Sequence, residues 1–97
     1  MISIKQNTYL KTAAIVCGHI AKQGLPILSA FRTEPESLED SGWQFFCGKA
    51  EEDPDLAQVW LLEEVLKFEP SLAEYIDLQP GAQVWRSDKN EAWRTTG

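Results

Sequence analysis

Apolar side chains are densest in Asp40-Ser41-Gly42-Trp43-Gln44-Phe45-Phe46-Cys47-Gly48. Read as a strand, this stretch turns Trp43, Phe45 and Cys47 to one face, and Gln44 and Phe46 to the other. A strand apolar on both faces runs through the middle of a sheet that helices cover on at least one side. Glycines at its two ends suit a tight entry and exit, because they tolerate positive φ.

The rest of the pattern is arranged around this strand. Residues 1–12 are mixed and polar and read as a lead-in, and residues 13–18 read as a first strand. Lys22-Gln23-Gly24 is a turn signal, and residues 26–32 form a second strand with Pro26 at its start, so that the two strands make a hairpin. Residues 33–41 form an acidic loop before the central strand. Beyond the acidic stretch Glu51-Glu52-Asp53, Asp53 is placed as the N-cap of a long helix with Pro54 at its first position, ending near Phe68 ahead of Pro70. Ser71-Leu72-Ala73-Glu74 is a capping-box pattern for a short helix that ends near Asp77. Pro80-Gly81 turns the chain into a strand at 82–86. A three-residue loop at Asp88-Lys89-Asn90, with Asn90 left-handed, would place Ser87 opposite Glu91 and Trp85 opposite Trp93. Together these elements predict an α+β fold. Its antiparallel sheet has about five strands, with one long and one short helix packed on one face, in a single domain over residues 1–97.

On a helix spanning 54–68, Val59, Leu62, Val65 and Leu66 share an apolar arc, with Leu61 and Phe68 at its edge. Trp60 falls on the opposite arc, among Glu63, Glu64 and Lys67. Either the chain ends or loop 49–53 cover this indole, or it is an interface anchor ringed by charge.

Composition narrows the function. The apolar fraction of 43%, with four tryptophans, is that of a globular chain with a core. A net charge of −6 disfavours nucleic acid and anionic lipid as partners and favours a basic protein surface, although mild acidity also simply keeps a protein soluble. The first residues lack the apolar core of a signal peptide, and no run is long enough to span a bilayer, so a cytoplasmic location is expected. Cys17 and Cys47 then read as buried thiols in a reducing compartment, with a disulfide left open.

Candidate chemistry is sparse. Cys17-x-His19, with Cys47 on a second strand, offers three zinc ligands, but there is no Cys-x-x-Cys and no second histidine. A histidine at a strand end beside a buried thiol is the preferred reading, and no metal or cofactor is expected. Convergence of all three residues would count for a metal site. The same Cys and His make a poor nucleophile–base pair, because side chains two apart on a strand diverge along it. The chain has no Gly-x-Ser-x-Gly, P-loop or dinucleotide glycine pattern, and its loop acids lack calcium-loop order. No catalytic residue is assigned. Arg32, followed by Thr33-Glu34-Pro35, reads as an ion-pair partner of Glu34 or Asp40 that fixes the loop, or as a carboxylate-binding group in a pocket.

Arg32-x-Glu34-Pro35 followed by Asp40-Ser41-Gly42-Trp43-x-Phe45-Phe46-x-Gly48 resembles a bacterial domain family long described as of unknown function. That family is now grouped with the predicted immunity proteins of polymorphic toxin systems. The Pro70 helix start, the Pro80-Gly81 turn and the terminal hairpin with Trp93 are also similar, so the resemblance spans residues 12–96. The chain departs from the pattern after Gly48, where Lys49-Ala50 precede the acidic residues. The resemblance implies an α+β fold and neutralisation of a cognate toxin by binding, without catalysis. Arg32, Asp40, Gly42, Trp43, Phe45, Phe46 and Gly48 match its signature and are assigned to the fold. The partner-binding surface is expected at Trp60, Glu63 and Glu64, with Glu34, Glu36 and Glu39 of the acidic loop beside them, facing a basic, nuclease-type cleft. The alternatives are a regulatory or ligand-binding module with a pocket near Arg32, and, behind it, a small hydrolase or metal-binding protein. The chain is expected as a monomer or a homodimer, the latter through Trp60 or a free sheet edge.

Overall fold

The central strand anchors the computed structural model, which describes residues 9–48 and 54–96. Along the chain lie β1 (Ala13–Val16), α1 (Gly18–Gln23), β2 (Ser29–Arg32), β3 (Asp40–Phe46), a 3-10 turn (Pro54–Leu56), β4 (Gln58–Leu61), α2 (Leu62–Phe68), a second 3-10 turn (Pro70–Glu74), β5 (Gln83–Trp85) and β6 (Arg94–Thr95). The strands form one six-stranded sheet in the order β4-β1-β3-β2-β5-β6. The α+β class is as expected. The sheet is mixed, because β1 and β3 run parallel while the other neighbours are antiparallel.

The parallel pair corrects the expected first hairpin. After β1 the chain does not turn back on itself. It enters α1, which buries Ile20 and ends at the left-handed Gly24. The chain then returns as β2 on the far side of β3, so β3 separates the two strands assigned to the hairpin.

The expected long helix is also corrected. Residues 58–61 are strand, and only 62–68 are helical. Gln58-Val59-Trp60-Leu61 pairs residue for residue with Val16-Ile15-Ala14-Ala13, so the backbone bonds of a helical turn are replaced by a ladder to β1. β-branched and aromatic residues suit that pleated edge. Leu61 is extended (φ −71°, ψ 146°), and its N–H donates to the Glu64 carboxylate at 2.8 Å, which fixes the start of α2. Asp53, assigned as the N-cap, lies outside the described residues. The expected second helix is shorter and is a 3-10 turn.

At the chain's end, Trp85 pairs with Arg94 and Val84 with Thr95, so Trp85 and Trp93 are not opposite. No non-glycine residue among those described has positive φ, which removes the left-handed Asn90. Side chains shape the connection instead: Asp88 accepts from the Asn90 N–H at 2.7 Å, and Glu91 accepts from the Ser87 N–H at 2.9 Å.

One face of the sheet holds the core. Ala14, Val16, Ala30, Trp43, Phe45 and Val84 are almost fully buried, together with Ile20, Leu62, Val65, Leu72 and Ile76. Tyr9 and Leu10, inside the expected lead-in, pack against this cluster.

Candidate interaction face and a thiol–imidazole cluster

The strand register fixes which side chains share the opposite face. Ile15 stands beside Val59 on β4 and Gln44 on β3, Phe31 beside Gln44 and Gln83, and Ser29 beside Phe46 and Trp85. This face is largely apolar and open. Val59 is 71% exposed, Ile15 42%, Trp85 38% and Leu61 36%. Phe31 and Phe46 stack at 5.5 Å between ring centroids. An outward sheet face normally alternates to polar residues, so an apolar stripe of this kind, interrupted by Gln44 and Ser29, is a candidate contact surface.

The acidic loop borders one end of the stripe. A shallow dent of about 120 Å³ is lined by Ile15 and Gln44 from the face and by Thr33 and Glu36 from the loop. Glu34, Glu36 and Glu39 are exposed, and between the last two Leu38 projects with 96% of its surface free. Sequence reading missed Leu38. An isolated leucine in an acidic run carries no periodic signal, and its exposure becomes visible only once the loop has a shape.

The residues expected to form the anchor lie elsewhere. Trp60 sits on β4 with its ring toward the core side, half-buried, edge-on to Phe68 at 5.8 Å. Being on a strand, it is not part of a helical arc with Glu63 and Glu64. Glu63 is paired with Lys11, and that hydrogen bond and charge hold its carboxyl below the usual range. Glu64 caps α2.

The signature residues knit the loop to the sheet. The two carboxylate oxygens of Asp40 accept from the Gly42 N–H at 2.9 Å and the Glu36 N–H at 3.0 Å. Gly42 has φ +81°, and a Cβ there would stand 2.2 Å from the Thr33 carbonyl oxygen, so only glycine fits this irregular point of β3. Gly48 also has positive φ, as the tight exit requires. Phe45 is fully buried and Phe46 is half-buried on the open face. Trp43 is buried, and its indole N–H is shared by the Tyr9 hydroxyl and the Ile76 carbonyl. Arg32 corrects an expectation. Its guanidinium donates to the carbonyls of Ser41 and Leu78, both at 2.8 Å, and lies over the Tyr9 ring, instead of pairing with Glu34 or Asp40. It is structural, as preferred, but through carbonyls. Larger surface clefts, of about 430 Å³ beside residues 77–82 and about 380 Å³ between residues 70–75 and 91–93, are not lined by it either.

The fold also gathers Cys17, His19 and Cys47, whose ligand atoms all lie within 4.8 Å of one another. The strand-end divergence expected for Cys17 and His19 does not apply. Cys17 is extended (φ −62°, ψ 155°) and caps α1, and His19 is already in the helix.

Residues 14–96 match the family model described as the immunity protein Imm33 domain. No curated protein and no solved structure matches the chain.

Proposed function

Because the chain belongs to the Imm33 immunity-protein family, we propose that it neutralises its cognate toxin in the cytoplasm by direct, stoichiometric binding, without catalysis. The observation that carries this reading is the open apolar face of the sheet, from Val59 and Ile15 to Phe46 and Trp85, bordered by an acidic loop with Leu38 at its tip. A central apolar patch with a charged rim is the anatomy of a specific protein interface. The partner side of such an interface would be basic and partly apolar, as is the substrate cleft of a nuclease-type toxin, with Glu34, Glu36 and Glu39 taking the place of phosphates. Trp60, packed on Phe68, and Glu64, which accepts from the Leu61 N–H, then hold the strand that presents Val59, and Glu63 pairs with Lys11.

The test mixes the purified chain with the purified toxin encoded beside its gene. The expected outcome is a one-to-one complex by size-exclusion chromatography and titration calorimetry, with toxin activity lost at equivalence. The double variant Ile15→Glu/Val59→Glu should bind at least about a hundredfold more weakly, since truncated hot spots commonly cost 2 kcal/mol or more and two buried charges add to that. A wild type that neither binds nor protects would overturn direct neutralisation. A double variant that binds as wild type would move the interface off this face.

A further inference from the structure

We propose that Cys17, His19 and Cys47 form a binding site for a thiophilic divalent cation, Zn²⁺ by its ligand preference. The fold brings them together by an identifiable route. β1 and β3 are parallel neighbours with Val16 beside Phe45, so the next residues of both strands emerge at the same end of the sheet. Cys17 continues that ladder, its N–H donating to the Phe45 carbonyl at 3.0 Å, and Cys47 follows immediately after β3. On a straight strand, a residue two positions beyond Cys17 would lie roughly 6.6 Å further along. The chain bends at Cys17 instead, whose carbonyl accepts the Ala21 N–H to open α1. That bend swings His19 back over the strand ends, where its Nδ1 lies 3.3 Å from Cys47 Sγ.

The chemistry of the set is selective. Two sulfurs and one imidazole are the ligands of zinc, whereas magnesium and calcium require oxygen. Around a tetrahedral zinc ion, bonds of about 2.3 Å to sulfur and 2.0–2.1 Å to nitrogen put ligand atoms roughly 3.5–3.8 Å apart. Closing the cluster from its present spread needs side-chain adjustment of about 1 Å. Both sulfurs are buried while His19 is half-buried, so the site is walled on the core side and open on the imidazole side. A solvent molecule would complete the tetrahedron there. Gly18 tightens the wall. A Cβ at that position would come within 2.6 Å of Leu56 Cβ, so its absence lets the 3-10 turn Pro54–Leu56 close over the start of α1. Binding exchanges two thiol protons for one Zn²⁺ and joins the end of β3 to the junction of β1 and α1, which is distant from it in sequence.

The full chain, reduced with a phosphine, is titrated with Co²⁺ as the spectroscopic probe and then with Zn²⁺. Expected are a sulfur-to-cobalt charge-transfer band and strong tetrahedral d–d bands saturating at one equivalent, bleached by Zn²⁺, and a zinc-dependent rise in melting temperature that EDTA reverses. Cys17→Ser and Cys47→Ser should each abolish the charge-transfer saturation. If burial of the new hydroxyl unfolds either variant, His19→Gln leaves both buried thiols in place. That variant should bind at least about tenfold more weakly with altered d–d bands. Absence of the charge-transfer band in the reduced wild type overturns the site. So does an unchanged cobalt spectrum in His19→Gln, or formation of a Cys17–Cys47 disulfide as the only chemistry of the pair.

Discussion

Arg86 shows most directly how single residues hold this fold. It is 6% exposed, yet every part of its guanidinium is used. Nε and Nη2 donate to the Ile27 carbonyl, Nη1 to the Lys89 carbonyl, and Nη2 pairs with Glu69 at 2.8 Å, while the plane lies 4.2 Å from the Trp93 ring centroid. Arg86→Ala would strand those carbonyls and a half-buried carboxylate, so urea denaturation should show a loss of about 3–5 kcal/mol. Tyr9 predicts a pH effect. Burial raises its pKa above the ordinary 10, partly offset by the Trp43 hydrogen bond and the Arg32 charge. The neutral hydroxyl donates to the Ile76 carbonyl. The phenol therefore ionises earlier in the unfolded chain than in the folded one. Its contribution is complete below about pH 10 and is lost as pH rises through the folded pKa. Denaturation curves from pH 8 to 11 should fall more steeply for wild type than for Tyr9→Phe, and parallel curves would remove this role. The inward set of Trp43 and Phe45 was legible from alternation alone. Arg86 was not, because its partners are mainly main-chain carbonyls brought from Ile27 and Lys89, and side-chain identity does not encode those.

At the scale of elements, the instructive stretch is residues 58–68. Its apolar positions fit a helical period, yet the chain divides them into an edge strand and a two-turn helix. The period was misleading because Gln58-Val59-Trp60-Leu61, one polar residue followed by three apolar ones, shows no two-residue alternation to set against the helical period that continues into α2. What decides the matter is non-local: β1 needs a second neighbour. The same fact explains the misplaced hairpin, since a parallel β1–β3 pair requires a crossover that no local turn signal announces. Central placement of β3, a helical turn near Pro70 (expected as a short helix and found as a 3-10 turn) and strand β5 were legible because each depends on local composition. The corrected register predicts opposite consequences for adjacent residues. Trp60→Ala removes a half-buried ring packed on Phe68 and should cost about 1–3 kcal/mol of stability. Val59→Glu changes an outward side chain at the sheet edge and should alter stability by less than about 1 kcal/mol. Urea titrations of the two variants side by side decide it, and a larger loss for Val59→Glu would mean that β4 presents its other face.

For the whole molecule, charge and apolar surface are partly segregated, and that division predicts how binding separates into rates. The net charge of −6 includes Glu34, Glu36 and Glu39, all exposed on one loop at the border of the open face. Rim charges act over a Debye length of about 8–10 Å at ordinary salt, so they speed the encounter with a basic partner more than they hold the final complex. The central apolar side chains and Leu38 act only on contact. Stopped-flow association with the cognate toxin should therefore slow as salt rises. The triple variant Glu34→Gln/Glu36→Gln/Glu39→Gln should lower the association rate constant by roughly tenfold at low salt and flatten its salt dependence, with little change in dissociation. Leu38→Ala should do the reverse, leaving the association rate near wild type and accelerating dissociation several-fold. If the triple variant changed only dissociation, the acidic loop would be a docked, desolvated part of the interface rather than its steering rim. Apolar contact at the sheet face would then have to share the centre of the complex with paired charges.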